Sequence, residues 1–293
     1  MNNHSFKNTP HTESEDVVYL WDDRTLYFTN KRLTPDGLVT TADMLIAYFD
    51  GQSLLKDVEN YEQHSRLLLV KAGHSLEFIA QEKQRDSAIA IIYLDPFRRD
   101  FELLRRNMKQ VSENIYAHHN DEKSILKSLD KIARGDLTSQ KARAMLNKVV
   151  RPDGAQIRGH APVDARIVRV VELLKSRANQ NLTLEQLANT VHLSESRLCK
   201  LFKKEIGVPI RRYRMWHRLY ICSVAYANGH SLLDSSLLAG FSSQSHYTTV
   251  FRKLLGLSPS EVLRRENVMK VVADDSALER FINPYSDNAL ALQ

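Results

Sequence analysis

Along the first hundred residues the apolar positions fall in short runs. Val17–Trp21, Thr25–Thr29, Met44–Phe49, Ser53–Val58, Arg66–Val70, Leu76–Ala80 and Ala88–Leu94 are such runs, parted by TPDG, FDGQ and KAGH. Runs of this length, rich in β-branched and aromatic residues and bounded by turn sequences, predict strands. Many short strands at close spacing predict an antiparallel barrel or sandwich. Residues 1–96 are therefore expected to form one β unit.

The pattern changes at Pro96. Phe97, Phe101, Leu104, Met108, Val111 and Ile115 are spaced by fours and threes, which predicts a helix over 97–119 with a heptad seam. Two further helices are expected near 121–134 and 138–150. The seam suits either a helical layer on the chain's own barrel or a helix–helix contact between two copies. In the second case Phe101, Leu104, Met108 and Val111 form the dimer seam, and 97–150 is a dimerisation and connecting segment. Residues 151–163, RPDGAQIRGHAPV, carry Pro and Gly and little apolar content, as a linker does. From 164 to 266 the chain reads as helix after helix. Residues 267–293 show only a weak helical pattern, and nothing in them assigns a role.

One pattern occurs twice. LEQLANTVHLSESRLCKLFKKEIG (184–207) and LLDSSLLAGFSSQSHYTTVFRKLLG (232–256) each read as a short helix, a tight turn and a longer helix. Leu198 and Phe202 correspond to Tyr247 and Phe251, and Gly207 to Gly256. Upstream of the turn Val191 corresponds to Ala239, so the second copy has one extra turn residue. Ser194, and Ser242 or Ser243, stand where N-caps are expected. This is a helix-turn-helix arrangement. At 100° per residue, Leu198, Leu201, Phe202 and Glu205 share one side of the first long helix, while Ser196, Lys200 and Lys203 lie opposite with Cys199 on the flank. In the second, Tyr247, Val250, Phe251 and Leu254 share a side, opposite Ser245, Thr249 and Arg252. A helix with small polar and basic groups on one face fits a major groove, where it meets base edges and phosphates. The stretch between, PIRRYRMWHRLYICSVAYAN, starts with a proline suited to a first helical position. Its Leu219, Val224 and Tyr226 are candidates for either core. This helix would set the spacing of the two reading helices; adjacent major-groove segments on one face lie ~34 Å apart.

Charge sharpens this reading. Residues 1–150 carry 21 Lys and Arg against 22 Asp and Glu, whereas 151–293 carry 20 against 13. The second half is therefore the one suited to a polyanion. The two cysteines, Cys199 and Cys222, lie in no CxxC or Cys/His cluster, so neither a disulfide framework nor a zinc site is expected. No apolar run is long enough to cross a bilayer, and the polar start MNNHSFKNTPHTESEDVV lacks a signal-peptide core. A cytoplasmic setting without membrane contact is expected.

Residues 161–265 resemble the DNA-binding domain of the AraC/XylS family of transcriptional regulators. The resemblance is carried by DARIVRVVELL, by LTLEQLANTVHLSESRLCKLFKKEIGVPIRRYRMWHRLYIC and by AGFSSQSHYTTVFRKLLGLSPSEVLRR. A weaker match, in LLLVKAGHSLEFIA and AIAIIYLDP, extends it over 17–150, the region resembling the family's cupin-like sensor barrel and helices. The resemblance implies a multidomain α and β protein: a cupin-like sensor barrel at 1–96, the helical segment at 97–150, the linker at 151–163, and an all-α domain with two helix-turn-helix units at 164–266. It implies base reading by Ser196, Cys199 and Lys200, and by Gln244, Ser245, His246 and Thr249. Arg197, Lys203, Arg252 and Lys253 are candidates for phosphate contact. Ser235 and Ser236 depart from the family pattern, which has an apolar residue followed by Ala. The implied partners are double-stranded DNA, RNA polymerase, a second copy of the chain and a small-molecule effector.

Other readings compete. The same DNA binding could be controlled by a protein partner, and the regulator could repress instead of activate. A DNA-repair alkyltransferase needs a reactive cysteine in the other domain, and residues 1–150 contain none. A cupin enzyme needs a close His-x-His pair and a carboxylate, whereas His64, His74 and Glu77 are scattered. His118–His119 is expected to end a helix as a partner for its C-terminal dipole. The expectation is a regulator without catalysis, cofactor or metal.

Overall fold

The computed structural model describes residues 16–30, 38–39, 42–49, 53–57, 62–78, 88–151, 163–255, 259 and 270–273. Its strands are β1 (Val17–Leu20), β2 (Arg24–Thr29), β3 (Leu38–Val39), β4 (Asp43–Tyr48), β5 (Ser53–Asp57), β6 (Glu62–Ser65), β7 (Leu67–Val70), β8 (Ser75–Phe78), β9 (Ile89–Leu94), β10 (Lys109–Ser112), β11 (Ile115–Ala117) and β12 (Lys270–Ala273). Eight form one sheet in the order β10-β11-β7-β4-β9-β2-β1-β12, and four form a second, β3-β8-β5-β6. The ladders are antiparallel except for β1 against β12, which is parallel. Of the expected barrel or sandwich, the described residues show two sheets that are not joined edge to edge, so no closed barrel is formed among them.

Both faces of the large sheet are apolar and covered, which is why β7 (LLLV) and β9 (IAIIYL) read as unbroken apolar runs. Tyr19, Trp21, Leu26, Phe28, Leu45, Leu69 and Ile92 face the helices α2 (Glu122–Ala133) and α3 (Ser139–Val150). Their neighbours Val18, Leu20 and Tyr27 face the C-terminal domain, and Met44, Ile46, Ile91 and Tyr93 form a cluster that includes Trp216. A buried ion triad ties the sheet to its helices: Arg24 and Arg151 both donate to Asp100, each at 2.8 Å.

The segment after Pro96 corrects the sequence reading. No helix spans 97–119. A 3-10 turn at Pro96–Arg98 ends at Arg99, whose φ of 55° is left-handed, and only the five-residue α1 (Asp100–Leu104) follows. A second 3-10 turn (Arg105–Asn107) leads into β10 and β11. Phe101, Leu104 and Met108 are nonetheless buried, in the core shared by the sheet and its own α2 and α3, and Val111 is half-buried. The spacing was that of core residues on short elements, and Phe101, Leu104 and Met108 are taken up by the chain's own core. His118 and His119 likewise follow a strand and precede α2, and His119 Nδ1 accepts from Asp121 N at 3.0 Å. They sit at a helix N-terminus, not at the expected C-terminus. The side chains of His64 and Glu77 lie outside the described residues, as does the linker 152–162.

The C-terminal domain holds α4 (Ala165–Ser176), α5 (Leu184–Asn189), α6 (Glu195–Ile206), α7 (Ile210–Ala227), α8 (Leu232–Leu238) and α9 (Gln244–Leu255). Each helix start is set locally. Asp164 caps α4, Thr183 and Gln186 form a reciprocal capping box on α5, and Ser231 caps α8. Two cores result. Ile167, Val170, Leu187, Leu198, Phe202 and Tyr213 pack in the first; Leu219, Val224, Ala239, Phe241, Tyr247 and Phe251 pack in the second. Beyond α9 the chain returns to the N-terminal sheet, where β12 pairs Lys270–Ala273 with Val17–Leu20. Val271 and Ala273 of this strand pack on the α7 side and Val272 on the opposite side.

Candidate nucleic-acid interface

Helix α6 is oriented by its ends. The Ser194 hydroxyl accepts from Arg197 N at 3.3 Å, and Gly207 closes the helix at a φ of 90°. Leu198, Phe202 and Ile206 are buried, which pins the opposite side outward. Ser196, Arg197, Cys199, Lys200, Lys203 and Lys204 are all exposed there. A groove of about 370 Å³ is lined by Ser194, Ser196, Arg197, Lys200, Leu201 and Lys204. Arg197, Lys200 and Lys204 along this groove make a strongly electropositive surface. Lys204 belongs to this surface and was missing from the expected contacts, although the basic run KK at 203–204 signals it. Glu205, expected on the buried side, is half-exposed and pairs with Arg99 of the N-terminal domain at 3.8 Å.

Helix α9 repeats the design with weaker charge. His246 N donates to Ser243 Oγ at 3.1 Å and Tyr247 N to Ser243 O at 3.1 Å, so Ser243 is the capping serine. Tyr247, Phe251 and Leu254 are buried. Gln244, Ser245, Thr249, Arg252 and Lys253 are exposed. The Thr249 hydroxyl donates to Ser245 O at 3.0 Å, leaving its lone pairs to accept from a ligand. His246 is turned into the turn itself: Nδ1 lies 3.0 Å from Ser242 Oγ and the ring meets Phe241 edge-on. The structure thus brings the candidate base readers of each unit to one helix face, with His246 presenting less of its ring than the others.

Both faces stay open although the domain is docked on the sheet. Asp95, fully buried at the end of β9, receives the Tyr213 hydroxyl at 3.1 Å and Lys175 Nζ at 2.6 Å. Tyr93 packs on Trp216 at a centroid distance of 5.2 Å. His217 is buried beside Tyr213, and burial, then the Lys175 charge, pulls its pKa down to about 3, so the ring is neutral. No sequence pattern named this contact, because Asp95 and Tyr213 are far apart in the chain and each is an ordinary residue for its element.

Residues 187–265 match the family described as a helix-turn-helix domain. The chain is 27% identical over 95 residues to the probable transcriptional regulator LumQ of Photobacterium leiognathi, covering 32% of this chain and 38% of that one. It is 28% identical over 104 residues to the arabinose operon regulatory protein of Escherichia coli (strain K12), covering 35% and 36%. The match thus spans little more than a third of these relatives. ToxT from Vibrio cholerae shares the fold over 81% of this chain and 96% of its own, with a TM-score of 0.52 at 16% identity. The unsaturated fatty acid-bound form of ToxT superposes with a TM-score of 0.51 at 14% identity, covering 81% and 93%.

Proposed function

We propose that the chain carries an AraC/XylS type of DNA-binding domain and is a sequence-specific transcriptional regulator whose two helix-turn-helix units read one duplex. The observation that carries this reading is the pair α6 and α9. Each is pinned by a buried stripe and presents hydrogen-bonding and cationic side chains outward. Arg197, Lys203, Lys204, Arg252 and Lys253 neutralise phosphates and fix register. Ser196, Cys199, Lys200, Gln244, Ser245 and Thr249 meet base edges, with His246 in a lesser role.

The N-terminal sheets are the sensor in this reading. ToxT has been crystallised with an unsaturated fatty acid, which supports a small-molecule effector held by the N-terminal domain. Activation through RNA polymerase, a cytoplasmic setting and a homodimer complete the proposal. Because Phe101, Leu104 and Met108 are committed to the chain's own core, a dimer would use another surface.

The test is enrichment of random duplexes by the purified full chain. The expected product is a motif of two blocks about one helical turn apart. Enrichment without any shared sequence would remove base reading from the account.

A further inference from the structure

Two units act as one reader only when the distance and angle between them are fixed. Helix α7 joins them and fixes their separation. Its own packing in both cores, Tyr213 in the first and Leu219 and Val224 in the second, ties each unit to it, and a contact made directly between the units adds a further constraint on their angle. Such a contact is present. The loop after α4, residues 177–183, belongs to the first unit by sequence, since it leads from α4 into α5. Its Ala178, however, is fully buried in the core of the second unit, with Leu219, Cys222, Ala239 and Phe241.

The loop is held from two sides. Arg218, in the middle of α7 and 4% exposed, donates from Nε to Ala178 O at 2.8 Å. Its Nη2 donates to Gln180 O at 3.2 Å and to Asn181 Oδ1 at 2.8 Å. A planar guanidinium whose donors are taken by three fixed acceptors defines position and orientation together. On the other side stands Gly240, in the turn between α8 and α9. A Cβ at Gly240 would lie 2.6 Å from Asn179 O.

The duplication shows that this glycine answers to the contact and not only to the turn. Gly240 has a φ of 85°, and the matching position of the first unit has a φ of 54° with a histidine, His192. The turn can therefore be made with a side chain present. What differs is the neighbour, the Asn179 backbone pressed against the second turn. Gly240 also lies just ahead of Ser243, which caps α9, so displacing it moves the end of α9 that carries Gln244 and Ser245.

We propose that the 177–183 loop, gripped by Arg218 and Gly240, sets the relation between the two reading helices and so selects the spacing between the two half-sites. Arg218 and Gly240 are positioning residues for DNA recognition and touch no DNA. The proposal rests on the DNA-reading function proposed above.

The test uses the full chain and a duplex that it has enriched. Affinities are measured for that duplex, for versions with the half-sites moved by one or two base pairs, and for versions with each half-site scrambled in turn. The variants are Arg218→Met, which removes the fork, and Gly240→Asn, which tolerates left-handed backbone but adds a Cβ. Asn181→Ala, a milder loss of one acceptor, serves if both fail to fold. Circular dichroism and thermal melting identify the folded variants. A folded variant is expected to bind one-half-site duplexes within about twofold of wild type, yet lose roughly tenfold or more on the intact duplex, because the second contact no longer follows at high effective concentration. Its preference for the native spacing should flatten. A folded variant that keeps the wild-type spacing preference would overturn the proposal. So would one that weakens one-half-site and intact duplexes equally, or a wild-type chain indifferent to spacing. A wild-type chain that prefers no duplex sequence refutes base reading itself, and that result is seen before any variant is made.

Discussion

The Tyr213 hydroxyl donates to the carboxylate of Asp95 at 3.1 Å, joining α7 of the C-terminal domain to the end of β9 in the N-terminal sheet. Burial and the adjacent carboxylate raise the tyrosine's pKa well above its ordinary value, so it stays a neutral donor. Lys175 reaches the same oxygen at 2.6 Å, and Phe97 N donates to the other at 3.0 Å. Asp95→Ala would strand a partly buried ammonium and a buried hydroxyl together. The expected loss is about 3 kcal/mol, the lower end for breaking a buried pair, because Lys175 keeps 25% of its side-chain surface. Urea denaturation checks it. Lys175→Met combined with Asp95→Ala should cost less than the two single losses added; strict additivity would show that the two groups do not interact.

Asp43 supplies a pH dependence of known sign. It is fully buried at the start of β4, 3.4 Å from Lys71 Nζ, and accepts from Ala72 N at 2.9 Å. Burial, only partly offset by Lys71, raises its pKa to about 6. Below about pH 4 the carboxyl is protonated in both folded and unfolded chains. Between about 4 and 6 the folded chain keeps a proton that the unfolded chain releases, so Asp43's contribution falls as pH rises and its full cost is reached above about 6. His217 acts in the opposite sense, since its lowered pKa removes stability as pH falls. Comparing wild type with Asp43→Asn cancels the histidine. The stability difference between them should move by about 2–3 kcal/mol from pH 4 to pH 7, in favour of the variant at the higher pH. A flat difference would mean that folding does not shift the Asp43 pKa.

Ser235 occupies the place that Leu187 holds in the first unit. It is fully buried, and its hydroxyl meets no hydrogen-bond partner. Ser236 beside it is also buried but donates to Leu233 O at 2.7 Å. Ser235→Ala removes an unsatisfied polar group at nearly constant volume and should stabilise the domain by about 1 kcal/mol. Thermal melting decides. A loss of stability would show that the hydroxyl is satisfied in solution, for example by a buried water.

The helical half was legible because its signals are local. The duplicated stripe of Leu198 and Phe202, then Tyr247 and Phe251, lies within single helices, and Ser194, Thr183 and Ser231 cap them from adjacent positions. The N-terminal half was legible as short strands and as the two helices expected near 121–134 and 138–150, which are α2 and α3. Alternation was hidden because the large sheet is covered on both faces. The helix expected from Phe97 is broken by the left-handed Arg99, a conformation with no signature in an arginine. Strand β12 is four residues long and pairs with β1 from the other end of the chain, so no window of sequence contains both partners. The Arg218 fork shared this difficulty, because its acceptors Ala178, Gln180 and Asn181 lie on an earlier loop.

Affinity should rest more heavily on α6 than on α9. Arg197, Lys200, Lys203 and Lys204 stand exposed on the first, against Arg252 and Lys253 on the second. Removing Lys203 and Lys204 together should weaken binding to all duplexes alike and reduce the salt dependence by about two phosphates' worth. Removing Arg252 and Lys253 should do so to a smaller extent. The reverse ranking, measured by gel shift at fixed salt, would place the dominant grip on the second unit.

The most direct test of DNA reading is fluorescence anisotropy of an enriched duplex titrated with the full chain across a range of salt, for wild type and Lys200→Ala. Wild-type affinity should fall linearly on logarithmic axes, by about 0.9 of a power of salt per phosphate neutralised. Lys200→Ala should cost about 1–3 kcal/mol on the enriched duplex and less on a scrambled one. Affinity unchanged by salt, or equal for enriched and scrambled duplexes, would contradict the account.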